Sequence, residues 1–313
     1  MVNLLKKTVL ILFPAVLAVM LHVSCTRDPP MVSILYEPAA GDPYTIQFST
    51  LDEHVDSYSW DFGDGQSSSE AAPVHTYSLS GNYTVHLEVE GRGGTASANV
   101  EIDISPSLEE LLSGGPDAIA GKTWVVSGLA TPGLDGAGQV TPDFPTDIIP
   151  ARDSLLALLG LGEEYDNEYT FFHDGSYQVD TRNGAILAGT LYTQAVLSDA
   201  MILTFTQFGF LQVAYDNVYH ATWTLTENTD LTVDAVKEDG TGGVTEETVT
   251  FTGADVIGFG SGAFIGLLDF TPEAIIREIS ADRMVLTVFL HRVEGYPLKP
   301  SNLLTISFDA KKN

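Results

Sequence analysis

The stretch Trp60-Asp61-Phe62-Gly63-Asp64-Gly65 limits what this chain can fold into more than any other. Gly-Asp and Asp-Gly steps between β-type runs mark a tight reversal, because glycine accepts positive φ and Asp hydrogen-bonds its own backbone. The run before it, Ser57-Tyr58-Ser59-Trp60, alternates. Further on, Asn82 to Val89 alternates again, with Tyr83, Val85, Leu87 and Val89 on one face. That periodicity predicts half-buried strands in an antiparallel sandwich. Between the two runs lie Pro73, His75, Thr76, Tyr77 and Gly81.

The ordered pattern of WDFGDG, then Pro-Val-His-Thr-Tyr, then Gly-Asn-Tyr-Thr-Val, resembles a PKD (polycystic kidney disease) domain over residues 31–105. The resemblance implies an immunoglobulin-like β-sandwich, with Trp60 and His75 in packing roles. Such modules serve as extracellular spacers or binding accessories, so the likeness bears on location more than on chemistry.

The amino terminus points the same way. Lys6 and Lys7 precede an apolar run from Thr8 to Val23, followed by Ser24 and the chain's single cysteine, Cys25. A basic head and a short apolar core before a small residue form a secretory signal over residues 1–24. The run holds Pro14 and is shorter than the ~20 residues a membrane span needs. The segment resembles a bacterial lipoprotein signal, which implies that Cys25 is acylated and that residues 25–30 are a lipidated tether. His22 departs from that pattern, which has an aliphatic residue there. The expected location is the cell envelope, at the outer membrane or cell surface.

The chain carries 42 acidic and 14 basic residues, a formal net charge of −28. Nucleic acid is therefore not an expected partner, since phosphate binding needs a basic patch. The acids are spread along the chain, as solubility of an exported protein requires.

Residues 106–120 read as a linker with a short helix: Leu108 to Leu112 has helical spacing and Gly114-Gly115-Pro116 ends it. Residues 121–313 read as a larger antiparallel β-domain, with roughly ten strands and no βαβ alternation. The fold class is thus all-β throughout. Two architectures fit the second region. Lys122-Thr123-Trp124-Val125 and Phe172-His173-Asp174-Gly175-Ser176-Tyr177 are similar to lipocalin-like lipoprotein domains, which implies a barrel. Ile276 to Leu286 resembles the late strands of jelly-roll sandwiches in glycan-handling lipoproteins. Roughly 190 residues is long for one eight-stranded barrel, and this favours the jelly-roll sandwich.

One constellation has catalytic potential. In Glu164-Tyr165-Asp166-Asn167-Glu168, a strand would place all three carboxylates on one face. The arrangement resembles the Glu-x-Asp-x-Glu strand of laminarinase-type retaining glycoside hydrolases. That likeness implies Glu164 as nucleophile, Asp166 as its electrostatic partner and Glu168 as acid/base. The two glutamate Cα atoms would lie about 13 Å apart on an extended strand, which inward-leaning side chains can close to the ~5–5.5 Å of a retaining mechanism. Asn167 departs from the pattern, because the enzymes have an apolar anchor there. Solvation of the three acids, or a calcium ion at Asp166 and Glu168, are the competing readings. No histidine spacing indicates zinc, and Gly-x-Ser-x-Gly is absent.

Sugar rings present apolar C–H faces that stack on aromatic side chains, while Asp, Asn and Arg take the hydroxyls. Trp124 and Trp223 sit in alternating runs and read as core. Tyr192, Phe208, Phe210, Tyr215, Tyr219, Phe259, Phe264 and Tyr296 fall in or beside expected loops and turns. Phe259, Tyr296, Tyr192 and Phe208 are the residues selected for binding, the first two because glycine or proline flanks them. The expectation is a lipid-anchored surface protein that binds a polysaccharide or oligosaccharide without cleaving it, the PKD-like module acting as spacer. Partner proteins in a surface complex are the remaining class.

Overall fold

The computed structural model describes residues 28–40, 42–142, 149–206, 208–260 and 262–312. The signal segment, Cys25 and the first tether residues lie outside the described residues. Two compact units are present, one comprising the chain up to Thr76 with Asn82–Ile102, the other Tyr77–Gly81 with Asp103–Asn313. Among the described residues no helix is long and apolar enough to cross a membrane.

The first unit is a two-sheet β-structure. Strands β1 (Met31–Ala39), β2 (Asp42–Glu53) and β5 (Val74–Thr76) form one sheet. Strands β4 (Ser67–Ser68), β3 (Ser57–Asp61), β6 (Gly81–Gly91) and β7 (Gly94–Ile104) form the other, in that order. The alternation in β6 does what its period dictates, because Val85, Leu87 and Val89 are buried and Thr84, Glu88 and Glu90 are exposed. Trp60 lies opposite Leu87 in the register, and its indole N–H donates to the Glu70 carbonyl at 2.9 Å. Its ring meets Phe48 and Phe62 at 5.5 and 6.3 Å between centroids. The reversal after β3 is held by Asp61, which accepts from the Gly63 amide at 2.9 Å, and by Asp64, which accepts from Gln66. Gly63 is required twice over: its φ is +82°, and a Cβ would sit 2.7 Å from the Thr84 carbonyl oxygen. His75 stacks on Phe62 at 4.0 Å and bonds Asp64 at 2.8 Å, a buried packing role.

The second unit opens with helix α1 (Leu108–Ser113). Ser107 caps it by accepting from the Glu110 amide, and Gly114 closes it at φ +84°. The last-turn carbonyls find partners in the next strand: Lys122 Nζ donates to Leu111 and the Trp124 indole to Leu112.

Strands β8 (Lys122–Val126), β9 (Gly136–Gln139) and β10 (Ile149–Pro150) follow, then helix α2 (Leu155–Leu158) and a 3-10 turn at Gly162–Asp166. Next come β11 (Glu168–Phe171), β12 (Ser176–Asp180), β13 (Ala185–Gly189), helix α3 (Thr190–Ala195), β14 (Ile202–Phe205) and β15 (Phe210–Ala214). The chain ends with β16 (Val218–Glu238), β17 (Val244–Phe259), β18 (Glu273–Ile279), β19 (Arg283–Leu290) and β20 (Asn302–Ala310).

The all-β fold class holds throughout. In the second unit β8, β11, β12, β16, β17, β18, β19 and β20 are neighbours in sequence order, all antiparallel. The edge of β20 then returns to the start: Phe308–Ala310 pair with β8, and Asn302–Thr305 with β9. A meander whose last strand hydrogen-bonds its first is a closed barrel, the lipocalin-like one of the two architectures open from sequence. The length that favoured a jelly roll is absorbed elsewhere. Residues 185–214 form a separate sheet, β13-β15-β14, between two barrel strands. The hairpin of β16 and β17 also outruns the barrel. A strand of 21 residues would span roughly 70 Å if straight, so it must bend. It does so where the register shifts between Thr226 and Leu231, with Asn228 and Gly253 both at positive φ.

Each layer has its own core. The inner one joins Trp124, Tyr169, Phe171, Tyr177, Trp223, Phe264, Leu286 and Phe308 with residues of the inserted sheet, including Ile186 and Leu211. The outer one joins Ala235, Val249 and Phe251 of the hairpin's far half with Ile275, Phe289 and Leu303 of β18–β20. That double coverage explains why β19 is buried on both faces.

Candidate functional site

The three carboxylates with catalytic potential do not share a strand face. Glu164 and Asp166 belong to the 3-10 turn, and only Glu168 begins a strand. Glu164 is fully buried, with Oε2 accepting from Asn167 Nδ2 at 3.0 Å. Burial pushes its carboxyl up to about 8, against smaller opposing pulls from the Leu187 amide, Asn167 and Gln212. The elevation that a general acid needs is therefore present, but chiefly from desolvation in the core, with only a small contribution from the neighbouring Glu163 and none from Asp166 or Glu168. Asp166 is exposed and accepts from Asn183 Nδ2 at 2.9 Å. Burial raises the Glu168 carboxyl, but hydrogen bonds from Lys311 and Arg182 outweigh it and hold it below the usual range. Asn167, the departure noted in the sequence, is buried and donates to the Ala185 carbonyl at 2.8 Å, tying the turn to the inserted sheet. The laminarinase-like geometry is thus not formed. For calcium, Asp166 and Glu168 already have these protein partners. Among the described residues no group of three His, Cys, Asp or Glu is arranged to hold a metal ion.

The four aromatics selected for binding separate. Phe259 is core: its ring packs 5.1 Å from Tyr177 and its amide donates to the Pro272 carbonyl. It is the last residue of β17, which runs on into the glycine-rich stretch. Tyr192 is half-buried on α3 with its ring edge on Phe270 at 5.1 Å. Phe208 is exposed in the turn before β15. The Thr190 amide donates to the Gly209 carbonyl, which sets the start of α3 beside that turn. Tyr296 is half-buried in the loop from β19 to β20. Arg292, at the head of that loop, lies so close to Gly209 that a Cβ there would meet its Cγ at 2.4 Å.

A groove forms where the β12–β13 and β15–β16 loops meet the segment before β14. Its volume is about 770 Å³, and Asp199, Met201, Tyr215, Asp216, Asn217 and Tyr219 are among the residues lining it. A smaller recess of about 400 Å³ continues it over Asp180, Thr181 and Arg182. Asn217 organises the floor. Its Oδ1 accepts from the Thr181 amide at 2.8 Å and the Thr181 hydroxyl at 2.9 Å, and its Nδ2 donates to the Tyr219 hydroxyl at 2.7 Å. Tyr215 is anchored by its amide on the Gly184 carbonyl and by its ring edge against Phe264 at 6.0 Å. Burial, helped by Asp216, raises its phenol. Tyr219 stays 57% exposed. A bulge presents it, because Tyr177 pairs with Ala221 but Val179 pairs with Val218, which leaves Tyr219 and His220 to oppose one residue. His220 takes φ +61° to allow this. At the recess, Arg182 is fixed by Glu168 at 2.6 Å and Asp180 at 3.5 Å.

The groove therefore offers one exposed phenol ring, two exposed carboxylates in Asp199 and Asp216, an oriented amide and a fixed guanidinium. Its size lies in the range of small-ligand sites. Tyr215 and Tyr219 belong to the loop aromatics seen in the sequence. The bulge that separates Tyr219 from its buried neighbours leaves no signal there, because Tyr219, Ala221 and Trp223 continue one alternation that would put all three on the buried face, and only the pairing shows the phase reversing between Val218 and Ala221.

Residues 28–105 match the family model described as "PKD domain". The pre-pro-metalloprotease PrtV of Vibrio cholerae is 38% identical over 65 residues, 20% of this chain and 7% of that protein. The collagenase ColA of Bacillus cereus is 51% identical over 43 residues, 14% of this chain and 4% of that protein. The chain thus spans less than a tenth of the length of these curated relatives. Among solved structures, the PKD1 domain of Vibrio anguillarum Epp aligns with 26% of this chain and 98% of its own length, at 28% identity and a TM-score of 0.24. The motif, the two sheets packed on Trp60 and the family match agree on one conclusion: residues 28–105 are a PKD domain.

Proposed function

We propose that this chain is a cell-envelope protein, lipid-anchored through Cys25, whose second unit binds carbohydrate without cleaving it, with the PKD domain as an accessory spacer. The observation that carries the glycan reading is the groove around Tyr219. A sugar ring stacks its C–H face on an exposed phenol, and Asp199, Asp216 and Arg182 are the groups that hold hydroxyls. The PKD domain supports an accessory role, because the segments it shares with a metalloprotease and a collagenase are a small part of each, so their activities do not come with it. The position of Glu164 in the core favours binding over hydrolysis.

The test is a titration of the second unit's groove with a panel of defined oligosaccharides, comparing wild type with Tyr219→Ala. A sugar that binds wild type should bind the variant more weakly by about 1–3 kcal/mol, the scale of an aromatic anchor. Because Tyr219 is exposed, the variant should melt within a degree or two of wild type. Equal affinity of the two proteins for every sugar bound would remove the groove from the proposal, and measurable turnover by wild type would replace binding with hydrolysis.

A further inference from the structure

The inserted sheet β13-β15-β14 ends on a free edge. Among the described residues β14 has one hydrogen-bonded neighbour, β15. Alternate residues of an edge strand normally include charge or proline that blunts it against pairing with another chain. Here the strand and its flanks read Met201-Ile202-Leu203-Thr204-Phe205-Thr206, with neither. Met201 is 65% exposed, Ile202 40%, Leu203 42% and Phe205 73%, so apolar side chains reach solvent from both faces of the strand. Phe208, in the following turn, adds a 45% exposed ring. Scattered exposed apolar residues are ordinary, but a contiguous run on an unpaired edge marks a contact surface.

Charge defines what fits there. From Asn183 to Val236 the sequence contains no Lys or Arg. At the Met201 end stand Asp199 and Asp216, which line the same groove as Met201. The opposite end, at Gly209, lies beside Arg292. The edge is therefore apolar along its length and negative where it begins.

We propose that β14 accepts an extended segment of a second protein as an added strand, apolar at alternate positions and basic at the end that meets Asp199 and Asp216. Backbone N–H and C=O groups on the free edge supply the pairing, Leu203 and Phe205 the apolar contact, and the two aspartates the polarity. A second copy of this chain is disfavoured as occupant, because each copy carries a net charge of −28 and brings the same aspartates to the contact.

The experiment uses the full chain from Cys25 onward with Cys25→Ser, so that no acyl group intervenes. The probe is a short synthetic peptide of alternating valine and threonine with lysines at one end. Its control has glutamates in place of the lysines. Binding is followed by fluorescence anisotropy, and amide hydrogen exchange is read across Ile202–Phe205. The lysine peptide should bind, protect those amides and weaken as salt is raised. The glutamate peptide should bind at least tenfold more weakly. Leu203→Lys and Phe205→Lys, both at exposed positions, should reduce binding of the lysine peptide by tenfold or more without moving the melting temperature. Asp199→Asn with Asp216→Asn should remove the preference between the peptides while keeping the apolar part of the binding. No binding by wild type, equal binding of both peptides, or unchanged binding by the lysine variants would overturn the proposal. Self-association of wild type that Phe205→Lys abolishes would assign the edge to a second copy instead, and flotation with neutral phosphatidylcholine vesicles that depends on Phe205 would assign it to a lipid surface.

Discussion

At the scale of the residue, Glu164 shows how little a local pattern says about a carboxylate until its neighbours are known. In the sequence it opens a Glu-x-Asp-x-Glu triplet; in the structure it is sealed between the 3-10 turn and the inserted sheet, with its carboxyl raised to about 8. An unfolded glutamate titrates near 4.3. Between those values the folded protein holds a proton that the unfolded chain has released, so stability must fall as pH rises. Glu164's contribution is fully present below about 4.5, erodes through the interval and is lost above about 8, with a slope of at most ~1.4 kcal/mol per pH unit. Glu164→Gln keeps the shape and the hydrogen-bonding capacity without a charge to bury. The expected result is a thermal-melting profile over pH 5–9 that is flatter for the variant, with the variant melting higher than wild type at pH 8 to 9. Parallel profiles would mean that Glu164 is hydrated in the folded state. The sequence conceals this for a physical reason: the acids look solvated or catalytic in a strand, and a turn that rotates one of them inward is set by Asn167 reaching the Ala185 carbonyl, a contact across 18 residues.

At the scale of the element, period was legible and pairing was not. The alternation in β6 and the aromatic runs in β11 and β12 report which face is buried, and those strands form where the pattern places them. Helix α1 also reads directly, because its serine cap and terminal glycine are local chemistry. Closure of the barrel is different, since Phe308 pairs with Val126 across most of the unit and no period encodes that. The hairpin of β16 and β17 falls between these cases. Its residues look like ordinary strands, but a bend at Asn228 and Gly253 divides it into a barrel half and a half that covers β18–β20. Phe251 fixes the second half, 5% exposed and with its ring edge 6.1 Å from Phe289. Phe251→Ala should cost about 3–5 kcal/mol. Hydrogen exchange should rise first across Leu231–Glu247, while β19 and β20, which keep their barrel neighbours, stay protected. A uniform rise through all the barrel strands would show that the hairpin's far half is not a separate layer but part of one cooperative core.

At the scale of the whole molecule, the question is where an acidic, all-β chain of this kind works, and the features that bear on it lie at the chain's beginning. A net charge of −28 opposes both nucleic acid and anionic lipid surfaces, so electrostatic attraction cannot hold the protein to a membrane. On the envelope reading the attachment is covalent, and Cys25 after Ser24 is the one cysteine in the sequence that could carry it. One acyl chain gives only marginal, reversible binding, whereas several chains on one residue give stable attachment. The whole reading of an envelope protein therefore turns on a single side chain, and Cys25→Ala isolates it. Expressed from its own leader, wild type should fractionate with membranes and partition into the detergent phase of Triton X-114. The Cys25→Ala protein should keep its leader or appear in the soluble fraction, and in either case should lose the mass of the acyl chains. The groove belongs to the second unit and Cys25 does not, so sugar binding by the groove should survive the variant unaltered. A cleaved Cys25→Ala protein that still sediments with membranes would mean that a surface of the folded chain does the holding, and Phe205 on the free edge of β14 would then be the first residue to change.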